Sequence, residues 1–313
     1  MRSPRTLLAG LVLVVGALTA ATATAPALAA TGQARTAAAT RAKLPTIVIG
    51  STNFTEQFIV ANLYGDVLQH AGYKVQVRPD LGDRQAVVPA LEAGALDLEP
   101  DYAGTLLLYL NENAGKKANQ ITSAVKGLKT LLAKHGVTVL DPAPAIDTNV
   151  FAVTKATAQK YHLTTLSSLK PVASQLVLGG PPECPTNATC ELGLEKVYGL
   201  HFKAFESTDE AGPISVAALK DGTVQVVEFF SSDGNIVRNH FVQLTDDKHL
   251  QAADQLIPVI RKSFDVPGVA TALNALSSKL TTTALSNLNI KVDVQHESAA
   301  AVARAWLTQK GLI

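Results

Sequence analysis

Two short segments carry most of the residues able to grip a small ligand. Gly50-Ser-Thr-Asn-Phe-Thr-Glu-Gln57 places hydroxyls, amides and a carboxylate at a strand-to-helix junction. There Asn53 can cap the helix and Glu56 can close a capping box. The backbone N–H groups at that helix start can also receive an anionic group. Asp97-Leu-Glu-Pro-Asp-Tyr-Ala-Gly-Thr105 adds the phenol of Tyr102 and the hydroxyl of Thr105. Arg84, in Gly82-Asp-Arg84, is a cation placed just after a strand. No G-x-S-x-G, H-E-x-x-H or P-loop pattern occurs, and the seven His are scattered. These residues suit binding better than catalysis, and no cofactor or metal is expected. A secreted hydrolase built from distant residues is a minor alternative, as is a purely structural or adhesive protein.

The 313 residues carry 27 Lys+Arg against 26 Asp+Glu, a formal net charge of +1. That balance lacks the footprint of a nucleic-acid partner. With 47% hydrophobic and 17% charged residues, the chain can bury a core in each of about two domains. Arg2 and Arg5 precede an apolar run from Leu7 to about Ala20, and Ala27-Leu28-Ala29 follows as a cleavage pattern. Roughly 14 apolar residues are too few to span a bilayer. Residues 1–30 therefore read as a signal peptide cut after Ala29 or Ala30, and 31–44 as a flexible leader. No Cys near the cut allows lipidation, so the expected product is an exported, non-lipidated protein. In an oxidising compartment the only cysteines, Cys184 and Cys190, are expected to close a small Pro-rich loop as a disulfide. Two free thiols or a metal pair are the alternatives.

The elements that must position these groups follow from apolar patterning. Pro45–Gly50 reads as a buried strand, and Phe54, Phe58, Ile59, Leu63 and Val67 recur at helical spacing. Tyr73–Arg78 alternates as a second strand, Asp83–Ala93 reads as a helix and Ala95–Leu98 as a third strand. Strand–helix–strand–helix–strand implies a parallel sheet with crossover helices. Helical patterns follow at Thr105–Asn111 and Asn119–His135. Strands are expected at Thr148–Val153, Gln175–Leu178 and Val224–Phe229, and helices near Leu192–Tyr198 and Gly212–Leu219. Leu256–Ile260 marks a return, and 265–309 reads as three helices with Trp306 packed in the last. The fold class is thus α/β, two lobes joined by two crossings. Lobe I takes 45–144 and 257–313, and lobe II takes 145–256. Two open sheets facing each other leave a cleft beyond their strand ends, where a small ligand can bind.

Taken together, the segments resemble the substrate-binding component of osmoprotectant (glycine betaine, choline, carnitine) ABC transporters. That family's pattern is roughly G-S-K-N-F-T-E-Q, then A-L-x-x-G-x-x-D-x-x-P-E-Y-x-G-T. Here the second block reads Ala90-Leu-Glu-Ala-Gly94, Asp97, Pro100-Asp-Tyr102 and Gly104-Thr105. The resemblance continues through Gly193-Leu194, Tyr198-Gly199, Ser232-Asp233-Gly234 and Asp246-Asp-Lys248. It implies a type II periplasmic-binding-protein fold whose cleft holds a quaternary ammonium against aromatic faces.

Carried over residue by residue, the resemblance implies ligand contacts from Gln57, Tyr102 and Thr105, with Thr52 and Asn53 beside them and Arg84 near the cleft as further candidates. Thr52 stands where the family has Lys. Asn149 stands for a Tyr entering the second lobe, and Phe230 for a Tyr before the S/T-T-D-G turn. Asp254 falls where a Tyr follows, and a family Arg is replaced near Asn187. The loss of an Arg and a Lys weakens recognition of a ligand carboxylate, and an Asp facing the cleft favours a cation by charge. The expected function is capture of a choline- or betaine-like amine by a monomer, for delivery to an ABC permease. Another zwitterion or amine, such as ergothioneine or an amino acid, is the alternative.

Overall fold

A computed structural model describes residues 45–209 and 211–313. The segments read as signal peptide and leader lie outside the described residues. The first sheet is built from β1 (Ile47–Gly50), β2 (Val75–Arg78), β3 (Leu98–Tyr102), β4 (Val137–Val139) and, from the far end of the chain, β10 (Leu256–Arg261). Its order is β2-β1-β3-β10-β4. β1 is parallel to β2 and β3, and β10 runs antiparallel to β3 and β4. The first three strands are joined by α1 (Thr55–His70) and α2 (Arg84–Ala93), as parallel neighbours require. Then come α3 (Ala103–Leu110) and α4 (Ile121–Leu132).

The side-chain alternation of a strand splits this lobe's core in two. Ile47, Ile49, Leu256 and Ile260 pack with Ile59, Leu63 and Val67 of α1 and with the C-terminal helices. Those helices are α8 (Pro267–Ser277), α9 (Thr282–Asp293) and α10 (Ala299–Gln309), numbered after three in the second lobe. Trp306 is buried in that cluster, as expected. Ile257 and Val259 face the other way, onto Val88, Leu91, Leu106 and Leu128.

The second sheet contains β5 (Asn149–Val153), β6 (Val177–Gly180), β7 (Ala204–Ser207), β8 (Val226–Phe230) and β9 (Val242–Leu244). Its order, β7-β6-β8-β5-β9, repeats the plan of the first, with β6 parallel to β7 and β8. Its helices are α5 (Lys155–Tyr161), α6 (Pro213–Asp221) and α7 (Gly234–Arg238). The chain passes between the sheets twice, and the two crossings run side by side. Leu256 N–H donates to the Ala145 carbonyl at 3.0 Å, and Asp147 N–H to the Asp254 carbonyl at 3.1 Å. Ile146 and Gln255 form an antiparallel bridge between them. Leu256–Ile260, read as a return, belongs to β10, an interior strand between β3 and β4.

Three local readings need correction. The capping box does not form: Phe54 is the N-cap of α1 and no side chain caps it. Both Glu56 oxygens are instead held by buried donors, so the carboxylate cannot reach back to Asn53. The third strand is Leu98–Tyr102 rather than Ala95–Leu98, and it is buried throughout. Its two acids and Pro100 disguised it as a loop; Arg84 balances Asp101 there. The helix expected near Leu192–Tyr198 is one α-helical turn, Glu191–Gly193, running into a π turn, Leu194–Tyr198.

Candidate functional site

β1 ends at Gly50, and the turn to α1 leaves Phe54 extended with its ring 42% exposed. β8 ends at Phe230, whose ring is 39% exposed. Both rings line one cavity of about 320 Å³, shared with Glu56, Asp147, Ser232, Asp233, Asn289 and Asp293. That volume falls within the roughly 300–1,000 Å³ of small-molecule pockets. Phe230 and Ala211 also line a second cavity of about 180 Å³, with Asn149, Glu183, Asn187 and Glu228. The two linings hold six carboxylates and, among the described residues, no Lys, Arg or His. Exposed ring faces beside carboxylates attract a cation by quadrupole and by charge together. A larger cavity of about 630 Å³ lies against the two crossings, lined by Ile121, Ile146, Val150 and Gln255 among others. It has one carboxylate, Asp246, beside the imidazole of His249, and its one phenyl ring, Phe151, is buried, so it offers a cation neither an exposed phenyl face nor a cluster of acids.

A hydrogen-bond chain ties the two sheets together at the carboxylate cavity. The Tyr102 phenol donates to Glu56 Oε1 at 2.7 Å, and Asn289 Nδ2 donates to Glu56 Oε2 at 2.8 Å. The same nitrogen lies 3.3 Å from the Ser232 carbonyl, and the Ser232 hydroxyl donates to Asp147 Oδ1 at 2.7 Å. Burial pushes the Glu56 carboxyl up to about 8, and the nearby Asp147 adds to the effect against these three donors. Burial likewise raises Asp147, and takes Asp233 up to about 6. A cation beside Glu56, Asp147 and Asp233 favours their ionised forms, against the burial that raises all three.

A second cluster stands behind Tyr102. Arg84 makes a two-pronged pair with Asp101, at 2.6 Å and 3.0 Å, and its Nη2 donates to Thr105 Oγ1 at 2.9 Å. Asp254 Oδ1 accepts from the Thr105 N–H at 2.7 Å, meeting one of the free donors at the start of α3. Burial takes Asp254 up to about 6 in spite of that bond and of Arg84. Burial opposes the Arg84 charge, but Asp101, Asp254 and Glu99 together outweigh it, so the guanidinium stays charged.

Of the residues singled out by sequence, Asn149 and Phe230 line the cavities, and β5–β8 register sets them opposite each other. Asn149 Nδ2 donates to Glu228 Oε1 at 2.5 Å and reaches Thr189 Oγ1 at 3.4 Å. Thr189 and Asn187 belong to the loop closed by the Cys184–Cys190 disulfide, which does form. As a disulfide the pair offers no thiolate to a metal. Tyr102 is 7% exposed and lies beneath Phe54, ring centroids 6.4 Å apart and nearly parallel. It supports the cavity from below and is not itself in the lining. Gln57 is buried beside it with both amide atoms unbonded, and the buried Thr52 hydroxyl is unbonded too. Asn53 is exposed next to Phe54. Arg84, Thr105 and Asp254 are gathered in one cluster, outside both linings. Sequence reasoning missed Phe54, Glu56, Asp147, Asp233 and Asn289 as lining residues. Phe54 was hidden by its fit to the helical spacing, and Asn289 is brought in from a distant helix that carries no motif.

A family model described as the substrate-binding domain of ABC-type glycine betaine transport systems matches residues 45–309. The chain is 30% identical over 275 residues to the carnitine transport binding protein OpuCC of Listeria monocytogenes, covering 84% of this chain and 86% of that one. It is 28% identical over 279 residues to the glycine betaine-binding protein YehZ of Escherichia coli (strain K12), covering 85% and 90%. A crystal structure of a glycine betaine/carnitine/choline ABC transporter superposes with a TM-score of 0.79 at 25% identity, covering 85% of this chain and 99% of that one.

Proposed function

The chain belongs to the family of substrate-binding domains of ABC-type glycine betaine transport systems, and we propose that it holds a quaternary or methylated amine between Phe54 and Phe230. The observation that carries this reading is the pair of exposed phenyl rings lining one cavity with four carboxylates and no cationic side chain. A methylated ammonium has no N–H to donate, so ring faces and full charges are the groups left to hold it. Each ring contact contributes about 0.5–2 kcal/mol, more when water is excluded.

One ring comes from each side of the interlobe cleft, so the ligand makes its full set of contacts only when the two sides approach. Binding then shifts the population toward closure. The closed monomer would present both lobes to a membrane permease. Delivery to that permease, and export directed by residues 1–30, complete the reading; the disulfide suits an oxidising compartment.

Calorimetry with choline, glycine betaine and carnitine tests it. One ligand per chain is expected, with Phe54→Leu and Phe230→Leu each weakening binding three- to thirtyfold. Saturating heat from none of the three ligands ends the reading.

A further inference from the structure

Within that reading, on which this inference rests, the structure assigns the ligand a net positive charge and a hydroxyl donor. That makes it a choline-like amino alcohol, in preference to a zwitterion carrying a carboxylate. The first observation is charge. Glu56, Asp147, Asp233 and Asp293 line the cavity, Glu183 and Glu228 line its neighbour, and no Lys, Arg or His among the described residues lines either. A ligand carboxylate entering there meets six acids and finds no cationic side chain in either lining. Arg84 is outside both linings and is occupied by Asp101 and Thr105.

The second observation is an orphaned acceptor. Asn289 is 8% exposed and lines the cavity. Its Nδ2 donates to Glu56 Oε2 and to the Ser232 carbonyl, both acceptors, which fixes the amide orientation. Its Oδ1 is left buried with no hydrogen bond. A buried acceptor without a donor is costly, so a ligand that brings a donor to it is favoured over one that does not. Choline has a hydroxyl proton to give. Glycine betaine offers the same trimethylammonium head with a group that only accepts.

Calorimetry on the purified protein with four probes separates the parts. Choline is expected to bind at least tenfold more tightly than glycine betaine. It should also bind at least threefold more tightly than tetramethylammonium or the methyl ether of choline, which keep the head and lose the donor. Asp293→Asn, at an exposed position whose Oδ1 can still accept from the Thr55 hydroxyl, should lower choline affinity and narrow the choline-to-betaine ratio at least twofold. Betaine binding as tightly as choline, or an unchanged ratio in Asp293→Asn, overturns the charge assignment. A methyl ether that matches choline overturns the hydroxyl assignment. Heat from none of the four removes the amine reading itself, a result distinct from either of these.

Discussion

The phenol of Tyr102 donates to Glu56 Oε1 at 2.7 Å, from a ring stacked under Phe54 at 6.4 Å. Tyr102 therefore acts on the cavity through two neighbours, one aromatic and one acidic. Tyr102→Phe keeps the platform for Phe54 and removes one donor that holds the Glu56 proton affinity down. Amine affinity should fall threefold to tenfold with little loss of stability. Tyr102→Ala also empties a buried site, and should lower stability by about 3–5 kcal/mol. Calorimetry and urea denaturation on both variants distinguish the two effects. Equal losses of affinity and stability in Tyr102→Phe would contradict this division.

Glu56 makes the stability of the folded protein sensitive to pH. Its carboxyl sits near 8 in the folded state, from burial first and then the charge of Asp147, against an ordinary value of 4.5. Between those values the folded chain keeps a proton that the unfolded chain has lost. Stability from this group is complete below pH 4.5 and declines as pH rises toward 8, at up to about 1.4 kcal/mol per pH unit. Urea midpoints at pH 5, 6.5 and 8 should fall in that order, and Glu56→Gln should flatten the trend. A wild-type slope in the variant would exclude Glu56 as its source.

The same proton should leave when a cation binds. A positive ligand beside Glu56 favours its ionised form, so complex formation at pH 7 should release a fraction of a proton. Binding heats in phosphate and in Tris, whose ionisation enthalpies differ, should differ accordingly. Identical heats would show that Glu56 does not change state.

Arg84 and Asp254 are expected to matter for folding more than for ligand choice. Arg84→Gln leaves Asp101 without its two-pronged partner, and Glu99, raised by burial and by Asp101, loses its opposing charge. The guanidinium is 26% exposed, so the cost should be about 2–3 kcal/mol, below that of a fully buried pair. Asp254→Asn weakens the bond to the Thr105 N–H and should cost about 1 kcal/mol. Neither change should shift the choline-to-betaine ratio by more than twofold. A larger shift on calorimetry would place one of them in contact with the ligand.

Gly234 sets how closely α7 meets α9. A Cβ there would lie 2.3 Å from Ile290 Cγ1. Gly234→Ala should push the second sheet off α9, loosen the Asn289–Ser232 link and weaken amine binding by about 1–3 kcal/mol. Ile290→Ala in the same chain should restore most of the loss. Failure of that rescue would mean the clash is absorbed elsewhere.

β1, β2, β5, β6 and β8 were readable from apolar runs with Gly or Pro between them, whereas β4, β7 and β9, of three or four residues, are too short to show a pattern, and β10 was read as a return. β3 was not readable, since Glu99, Pro100 and Asp101 look like a loop until Arg84 is seen to neutralise them. The site was half legible. Asn149 and Phe230 came from the family pattern, and sheet register paired them. Tyr102 was read as a ligand contact and lies outside the lining, and local pattern could not show that Phe54 covers it. Glu56 was read through its nearest sequence neighbours. Its partners Tyr102 and Asn289 lie 46 and 233 residues away, and only folding reveals them.

The bridge between Ile146 and Gln255 restricts how the molecule can move. Two strands of chain pinned together behave as a door with adjacent pins: swinging is easy, while shearing would tear the backbone pairing. Opening is then described by a single angle. One pair of distance labels, placed on opposite jaws, should capture the whole trajectory from empty to loaded.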